Sequence, residues 1–377
     1  MAIPVDLEAL KQWLRQMPVL VDMHPLLPLC FEEKVEVVTE PSRVLRMLDE
    51  REYALSKDTP MLITGNHPSL LSRFPSLRVL GSPSIDAINQ NFHHHLHYAQ
   101  KNLLTTVKIA DYLTHDVGLR HYDAIVLLLI DGLSYDDVKN WGFNTLPCFV
   151  DGPSVTYRFY DTENTMLIPS IGFASIINAP SIFERLMSHG YLNARGYTYW
   201  EPEHNIIADY MFRGIPTRQV VNFQDILSAL SREPVRDKVY IQIVREGLDG
   251  LAHGKRELRS SEIIAAIGAI KDDIEQLCGL LKTMYQDTCV YIVADHGILW
   301  KNDHSWQSAL EDGSKARFTS HLVKDRASVG FTYDYDTIAF RLYRYPILGA
   351  KIPKNDSGVH GGLSYHESLV PFIKIEV

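Results

Sequence analysis

One stretch constrains the fold more than any other. Asp123-Ala-Ile-Val-Leu-Leu-Leu-Ile-Asp131-Gly132 is a continuous apolar run closed by Asp-Gly. A strand buried on both faces reads this way, because neither face carries alternating polar residues. In sheets of such strands, ligands sit beyond the carboxyl ends. Asp131 stands at such an end, and Ser134-Tyr-Asp-Asp-Val138 behind it reads as a helix start.

Further strands read at Val239-Tyr-Ile-Gln-Ile-Val244, Thr288-Cys-Val-Tyr-Ile-Val-Ala294 and Leu369-Val-Pro-Phe-Ile-Lys-Ile-Glu-Val377. Pro371 marks the last as an edge strand or a bulge, because proline cannot donate to a ladder. Between the first two, Ser260 or Ser261 caps a long amphipathic helix. Strand–helix–strand alternation predicts an α/β domain over 118–377, with a mainly parallel central sheet sandwiched by helices. Residues 1–117 read as a mostly helical region cut into short pieces by prolines. Its cluster Phe92-His93-His94-His95-Leu96-His97 would place His93 and His97 on one helix face, but no acidic partner stands at a spacing that completes a metal site.

The chain is 377 residues long, 46% hydrophobic and 22% charged, in the range of globular enzymes. No apolar run reaches the roughly 20 residues that span a bilayer, so no membrane partner is expected. The start Met1-Ala-Ile-Pro-Val lacks the build of a signal peptide, which leads to the expectation of a cytoplasmic protein. Cys30, Cys148, Cys278 and Cys289 are scattered and read as small hydrophobes rather than disulfides or zinc ligands. A net charge of −9 gives no bulk attraction to nucleic acid, and no basic patch marks a nucleic-acid surface, though bulk charge leaves room for a local basic groove at an active site.

Carboxylates and imidazoles recur at or just after the strand ends. They are Asp131, then Asp249 with His253, then Asp295 with His296, then His360. Mixed carboxylate and imidazole ligands suit zinc and leave positions open for substrate. Two metals a few Å apart can hold the attacking and leaving oxygens of an in-line displacement. Alone, each residue has an ordinary explanation: Asp131 as a turn former, Asp249 and His253 as a helix pair at i, i+4. Their order, each after its own strand, is a much stronger sign of a two-metal site than any one of them.

The series Ile130-Asp131-Gly132, Asp249-Gly-Leu-Ala-His253, Ala294-Asp295-His296-Gly297 and His360-Gly361-Gly362-Leu363-Ser364 resembles the alkaline phosphatase superfamily. More narrowly it resembles the PglZ branch, in which the closing His-Gly-Gly-Leu-Ser is followed by an acidic residue and an apolar strand containing proline. Here those are Glu367 and Leu369-Val-Pro-Phe-Ile373. The resemblance covers residues 120–377. It implies one metal held by Asp249, His253 and His360, and a second held by Asp131, Asp295 and His296. Two zinc ions are implied, with manganese as the alternative.

The resemblance also implies a Ser or Thr nucleophile after a Pro-Thr/Ser-X-Thr stretch. This chain has Ile168-Pro169-Ser170-Ile171-Gly172-Phe173, with Gly172 at the usual attacking position. Three readings stand open: attack by Ser170, with Thr165 as a second hydroxyl; attack by metal-activated water; or a site that binds metal and ligand without turnover. Lys301, Arg317 and Arg326 offer positive charge to a phosphate oxygen. His366, and Asp303 with His304, follow the metal motifs closely. Ala252 stands where relatives often carry glycine, a conservative change. The substrate implied is a phosphorylated small molecule, nucleotide or oligonucleotide. An interaction component of a bacterial, phage-defence type system, acting on a protein partner or as a homo-oligomer, is the alternative. Mutase or phosphoryl-transfer chemistry needs a larger cap domain than 180–238 offers.

Overall fold

The computed structural model describes residues 103–377, apart from 139, 152–158, 161–165, 168–171, 179, 202–205, 233–237, 255–257, 259, 302–305, 309–315, 320–329 and 336–337. Of residues 1–102 it describes four short strands and isolated helical positions. The chain divides into two compact units, Met1–Lys101 and Asn102–Val377.

The N-terminal unit holds a parallel four-stranded sheet of Val19–Val21, Glu36–Val38, Met61–Thr64 and Arg78–Leu80. A helical reading of this region did not include it. Strands of three or four residues are too short to show a period, and the prolines around them look the same between helices as between strands. His93, His94, His95 and His97 lie outside the described residues.

The second unit is built on an eight-stranded sheet. In chain order its strands are β1 (Leu104–Thr105), β2 (Ala124–Asp131), β3 (Thr145–Phe149), β4 (Asn193–Thr198), β5 (Thr217–Gln219), β6 (Val239–Glu246), β7 (Thr288–Ala294) and β8 (Leu369–Glu376). Their spatial order is β5-β4-β6-β2-β7-β8-β3-β1. All neighbours are parallel except β8, which runs antiparallel to both β7 and β3. The contact boundary at residue 101 falls earlier than 117, because β1 belongs to this sheet and helix Ile109–Leu119 packs on it through Tyr112 against Phe372 (centroids 5.1 Å apart).

The apolar run Ala124–Asp131 is β2, at the centre of the sheet. Ala124–Ile130 are fully buried, and so are their neighbours in β7. Each Leu or Ile removed from water here contributes ~1.5–3 kcal/mol. The sequence helix is Ser260–Met284, which packs through buried Ile270, Ile274, Leu277 and Leu281. Cys148 and Cys289 are buried and unpaired, as small hydrophobes would be.

One expectation is corrected. The strand with Pro371 is neither an edge nor bulged; it lies between β7 and β3. The sheet accommodates the proline at a join. The ladder with β7 ends at Val293 opposite Phe372, one residue short of Pro371, and on the other side Pro371 faces Pro147. Neither proline is asked for an N–H by the other.

The adjacent parallel strands β6, β2 and β7 end at one edge of the sheet, and their following loops are tied together. Leu248 N–H donates to Gly132 O (2.9 Å), Leu133 N–H to His296 O (2.8 Å), and Gly297 N–H to Glu367 O (3.1 Å). Gly297 is required by this crossing, because a β-carbon there would stand 1.8 Å from the His366 carbonyl oxygen.

Candidate metal centre

Three neighbouring strand ends deliver the carboxylates. Asp131 closes β2, Asp249 opens helix Asp249–Gly254 after β6, and Asp295 follows β7. The helix puts His253 one turn after Asp249 on the same face, with 3.4 Å between Nε2 and Oδ1. His296 follows Asp295 and is buried. His360 comes from the loop after the short ladder of Leu299–Trp300 with Gly358–Val359. That loop is fastened to the Asp249 helix by Ser357 N–H donating to Ala252 O (2.7 Å).

The imidazoles converge on Asp249. Its Oδ1 lies 3.4 Å from His253 Nε2, 3.5 Å from His360 Nε2 and 3.7 Å from His296 Nε2. His253 and His360 bring their Nε2 atoms within 3.2 Å, and the rings of His296 and His360 stack with centroids 4.0 Å apart. His296 Nε2 also stands 3.6 Å from Asp131 Oδ1 and from Asp295 Oδ2. Two overlapping sets of ligand atoms result, Asp249–His253–His360 and Asp131–Asp249–His296, each within 4.8 Å.

These residues fit a divalent cation. Asp249 Oδ1 is buried and has no hydrogen-bond partner among the described residues. Such an oxygen costs stability unless something positive answers it. Two ligands of a tetrahedral ion with ~2.0 Å bonds stand ~3.3 Å apart, close to the separations seen. The ring nitrogens are oriented for it too. His296 Nδ1–H donates to Gly297 O (3.2 Å), a carbonyl that can only accept, which leaves Nε2 with its lone pair toward the carboxylates. His253 Nδ1 is held by Asp356 Oδ2 (3.0 Å) and likewise turns Nε2 inward.

Asp295 plays a different part from Asp249. Its Oδ1 accepts from the backbone N–H groups of Gly132 (3.2 Å) and His296 (3.0 Å), so Oδ2 is the oxygen left to face the cluster. Burial pushes this carboxyl up to about 8, partly offset by His296. His296 itself would be lowered by burial, but the charges of Asp295, Asp249 and Asp131 raise it to about 10. For Asp249, burial opposes ionisation, while His253, His296 and His360 hold its carboxyl well below the usual range. The Asp249 contact raises His253 to about 9 against burial, and Asp356 adds to it. The metal-free cluster therefore holds protons where a cation would otherwise balance the carboxylates.

The structure thus brings all six sequence-predicted metal residues together. It differs in the grouping, since Asp249 is shared by both sets and Asp295 stands beside the second. Ser170 and Thr165 lie outside the described residues, as do Arg326, Asp303 and His304. Gly172 is described, and it is at the site: a β-carbon there would lie 3.4 Å from Asp295 Oδ2.

Arg317 is a correction. Its side chain is fully buried beneath the closing motif and paired with equally buried Glu367, through Nε to Oε1 (2.9 Å) and Nη2 to Oε2 (2.8 Å). It also donates to Ile347 O. A guanidinium so engaged offers nothing to a substrate, and its burial was invisible in a charged residue read from sequence. Lys301 takes part through its backbone, its N–H donating to Ser357 O (2.7 Å) and its carbonyl accepting from Trp306 Nε1 (2.9 Å). His366 contributes its carbonyl, which accepts from Ser134 Oγ (2.8 Å).

Two residues escaped the sequence reading. Tyr199, just past β4, donates its hydroxyl to Asp131 Oδ2. Burial, followed by the charge of Asp131, pushes that phenol far above its ordinary value. Asp356 was legible only as a carboxylate four residues before His360, with no spacing to tie it to His253.

No family model matches the chain, and no curated protein matches it. Among solved structures, human ectonucleotide pyrophosphatase/phosphodiesterase 5 is 12% identical, with a TM-score of 0.47, over 66% of this chain and 87% of that one. The murine protein, inactive and in complex with AMP, is 11% identical, with a TM-score of 0.42, over the same shares. The C-terminal periplasmic domain of the phosphoethanolamine transferase EptC from Campylobacter jejuni is 10% identical, with a TM-score of 0.36, over 68% of this chain and 80% of that one. These neighbours belong to the alkaline phosphatase superfamily. At this level of similarity, the chemistry has to be taken from this chain's own side chains. Among the described residues, no helix is long and apolar enough to cross a membrane.

Proposed function

We propose that the chain is a metal-dependent phosphoesterase of the alkaline phosphatase superfamily, of the PglZ kind, holding two zinc ions. The observation that carries this reading is Asp249 Oδ1, a buried carboxylate oxygen without a hydrogen bond, faced by three imidazole Nε2 atoms at 3.4–3.7 Å. Asp249, His253 and His360 would hold one ion; Asp131, His296 and Asp249 would hold the other, with Asp295 Oδ2 beside it. Bound cations would supply Lewis-acid charge for the phosphoryl oxygens.

The chain's own groups do the rest. Gly132 and His296 N–H groups fix Asp295, and Gly297 O and Asp356 fix the imidazole orientations, so the cluster is set before substrate arrives. Tyr199 holds Asp131 from outside the cluster. Ser170 remains the hydroxyl proposed to attack phosphorus, two residues before Gly172.

A second reading has one specific observation in its favour. Gly172 faces Asp295 where relatives carry the attacking side chain, which suits a site that binds metal and ligand in an interaction component without turnover. Hydrolysis of p-nitrophenyl phosphate mono- and diesters separates the two. Zinc-dependent turnover abolished by Ser170→Ala supports the covalent enzyme. Bound zinc with no turnover of any ester supports the second reading.

A further inference from the structure

Beside the metal centre lies a cleft of about 660 Å³ that the proposed chemistry does not use. We propose that it receives the alcohol portion of the substrate, and that this portion is a neutral, ring-sized organic group. The inference rests on the phosphoesterase reading for the phosphoryl end of the substrate.

Continuity with the centre is the first observation. Tyr199 is one of the residues that line the cleft, and it donates its hydroxyl to Asp131. Gly247, Gly250 and Leu251, which flank Asp249 in the chain, line it as well. A group held in the cleft therefore lies against the residue that holds Asp131 and against the chain segment that carries Asp249.

The lining sets the chemistry. Val220, Phe223, Val244 and Ile270 give it apolar walls, and small Ala266 and Ala269 on helix Ser260–Met284 leave it open. Val221 at its edge is 91% exposed, an apolar side chain with nothing to cover it. The one cation–anion couple inside is already satisfied: Arg245 donates to Asp273 Oδ2 through Nε (2.9 Å) and Nη2 (2.6 Å), and its guanidinium lies over the Phe223 ring. No further anion is invited by a guanidinium so paired. Glu246 lies against Gly250, where a β-carbon would meet its Oε1 at 2.3 Å, and its carboxylate disfavours a second negative charge on the ligand. The volume is in the range of small-molecule sites. Among the described residues that line it, apolar walls, the Asn222 and Gln224 amides, two carboxylates and no cation outside the Arg245–Asp273 couple select an uncharged ring.

The test is binding of methylphosphonate, benzylphosphonate and 1-naphthylmethylphosphonate to the zinc-loaded chain by titration calorimetry. None of these can be hydrolysed. The naphthyl compound is expected to bind at least about tenfold tighter than the methyl compound. Ala266→Trp, and separately Ala269→Trp at an exposed helix position, should reduce that preference to about twofold or less and leave methylphosphonate affinity unchanged. Equal affinity for all three compounds, a preference that survives both variants, or no binding at all overturns the proposal. Ring preference retained in a chain that hydrolyses no phosphate ester would support the cleft and strike the phosphoesterase reading instead.

Discussion

Gly172 faces Asp295 across the mouth of the cluster, with 3.4 Å between Asp295 Oδ2 and the point a β-carbon would occupy at position 172. The backbone there has φ 61° and ψ −130°, which glycine adopts freely and other residues do not. Gly172→Ala should therefore cost about 1–3 kcal/mol of stability through strain. Zinc content should be unchanged, because no ligand is lost. Thermal unfolding alongside metal analysis checks this; loss of metal without loss of stability would contradict it.

Arg317 and Glu367 form a fully buried fork, and Glu367 Oε1 also accepts from Gly362 N–H (3.0 Å) in the loop that carries His360. Removing one partner leaves an uncompensated buried charge. Arg317→Ala or Glu367→Ala should each destabilise the chain by about 3–5 kcal/mol. Arg317→Met combined with Glu367→Leu should be much milder. Denaturant titration reads the difference. A variant of Arg317 that raises KM without loss of stability would return it to the substrate.

This pair shows where the sequence stops being informative. The apolar run of β2 exposed its burial directly, since seven consecutive apolar residues have no other use in a folded domain. Asp131, Asp249 and Asp295 stood out as candidates because each lies at or just after a strand end, where the sheet's geometry is set by local pattern. Sharing of Asp249 between two sets was not legible, because it depends on how three loops cross. Arg317 looked like surface charge, since nothing in its neighbours announces a partner 50 residues away. Tyr199 was silent for the same reason, 68 residues from Asp131.

Proton and metal compete at the cluster, and the sign follows from the shifts. His253 is raised to about 9, His296 to about 10 and Asp295 to about 8 in the metal-free fold. A group raised on folding adds stability below its unfolded pKa and loses it as pH rises through the folded one. With chelator present, stability should fall from about pH 4, where Asp295 begins to count, through about pH 10, most steeply above about pH 6.5 where the two imidazoles join it. Zinc affinity should rise over the same range, because the imidazoles must give up protons to ligate. Denaturation with and without zinc across this range tests both slopes; parallel slopes would contradict the assignment.

Asp356 orients His253 from behind, through the ring nitrogen that does not face the cluster. Asp356→Asn should lower zinc affinity by about 10–100-fold without unfolding the chain. Competition with a calibrated chelator reads it. Unchanged affinity would reduce Asp356 to a surface contact.

The most direct test is zinc per chain in the wild type and in Asp249→Ala, each reconstituted and dialysed at pH 8. Asp249 belongs to both ligand sets, so two ions per wild-type chain should fall to fewer than one in the variant while the fold is kept. Zinc content unchanged by Asp249→Ala, or no zinc in the wild type, would contradict the metal centre.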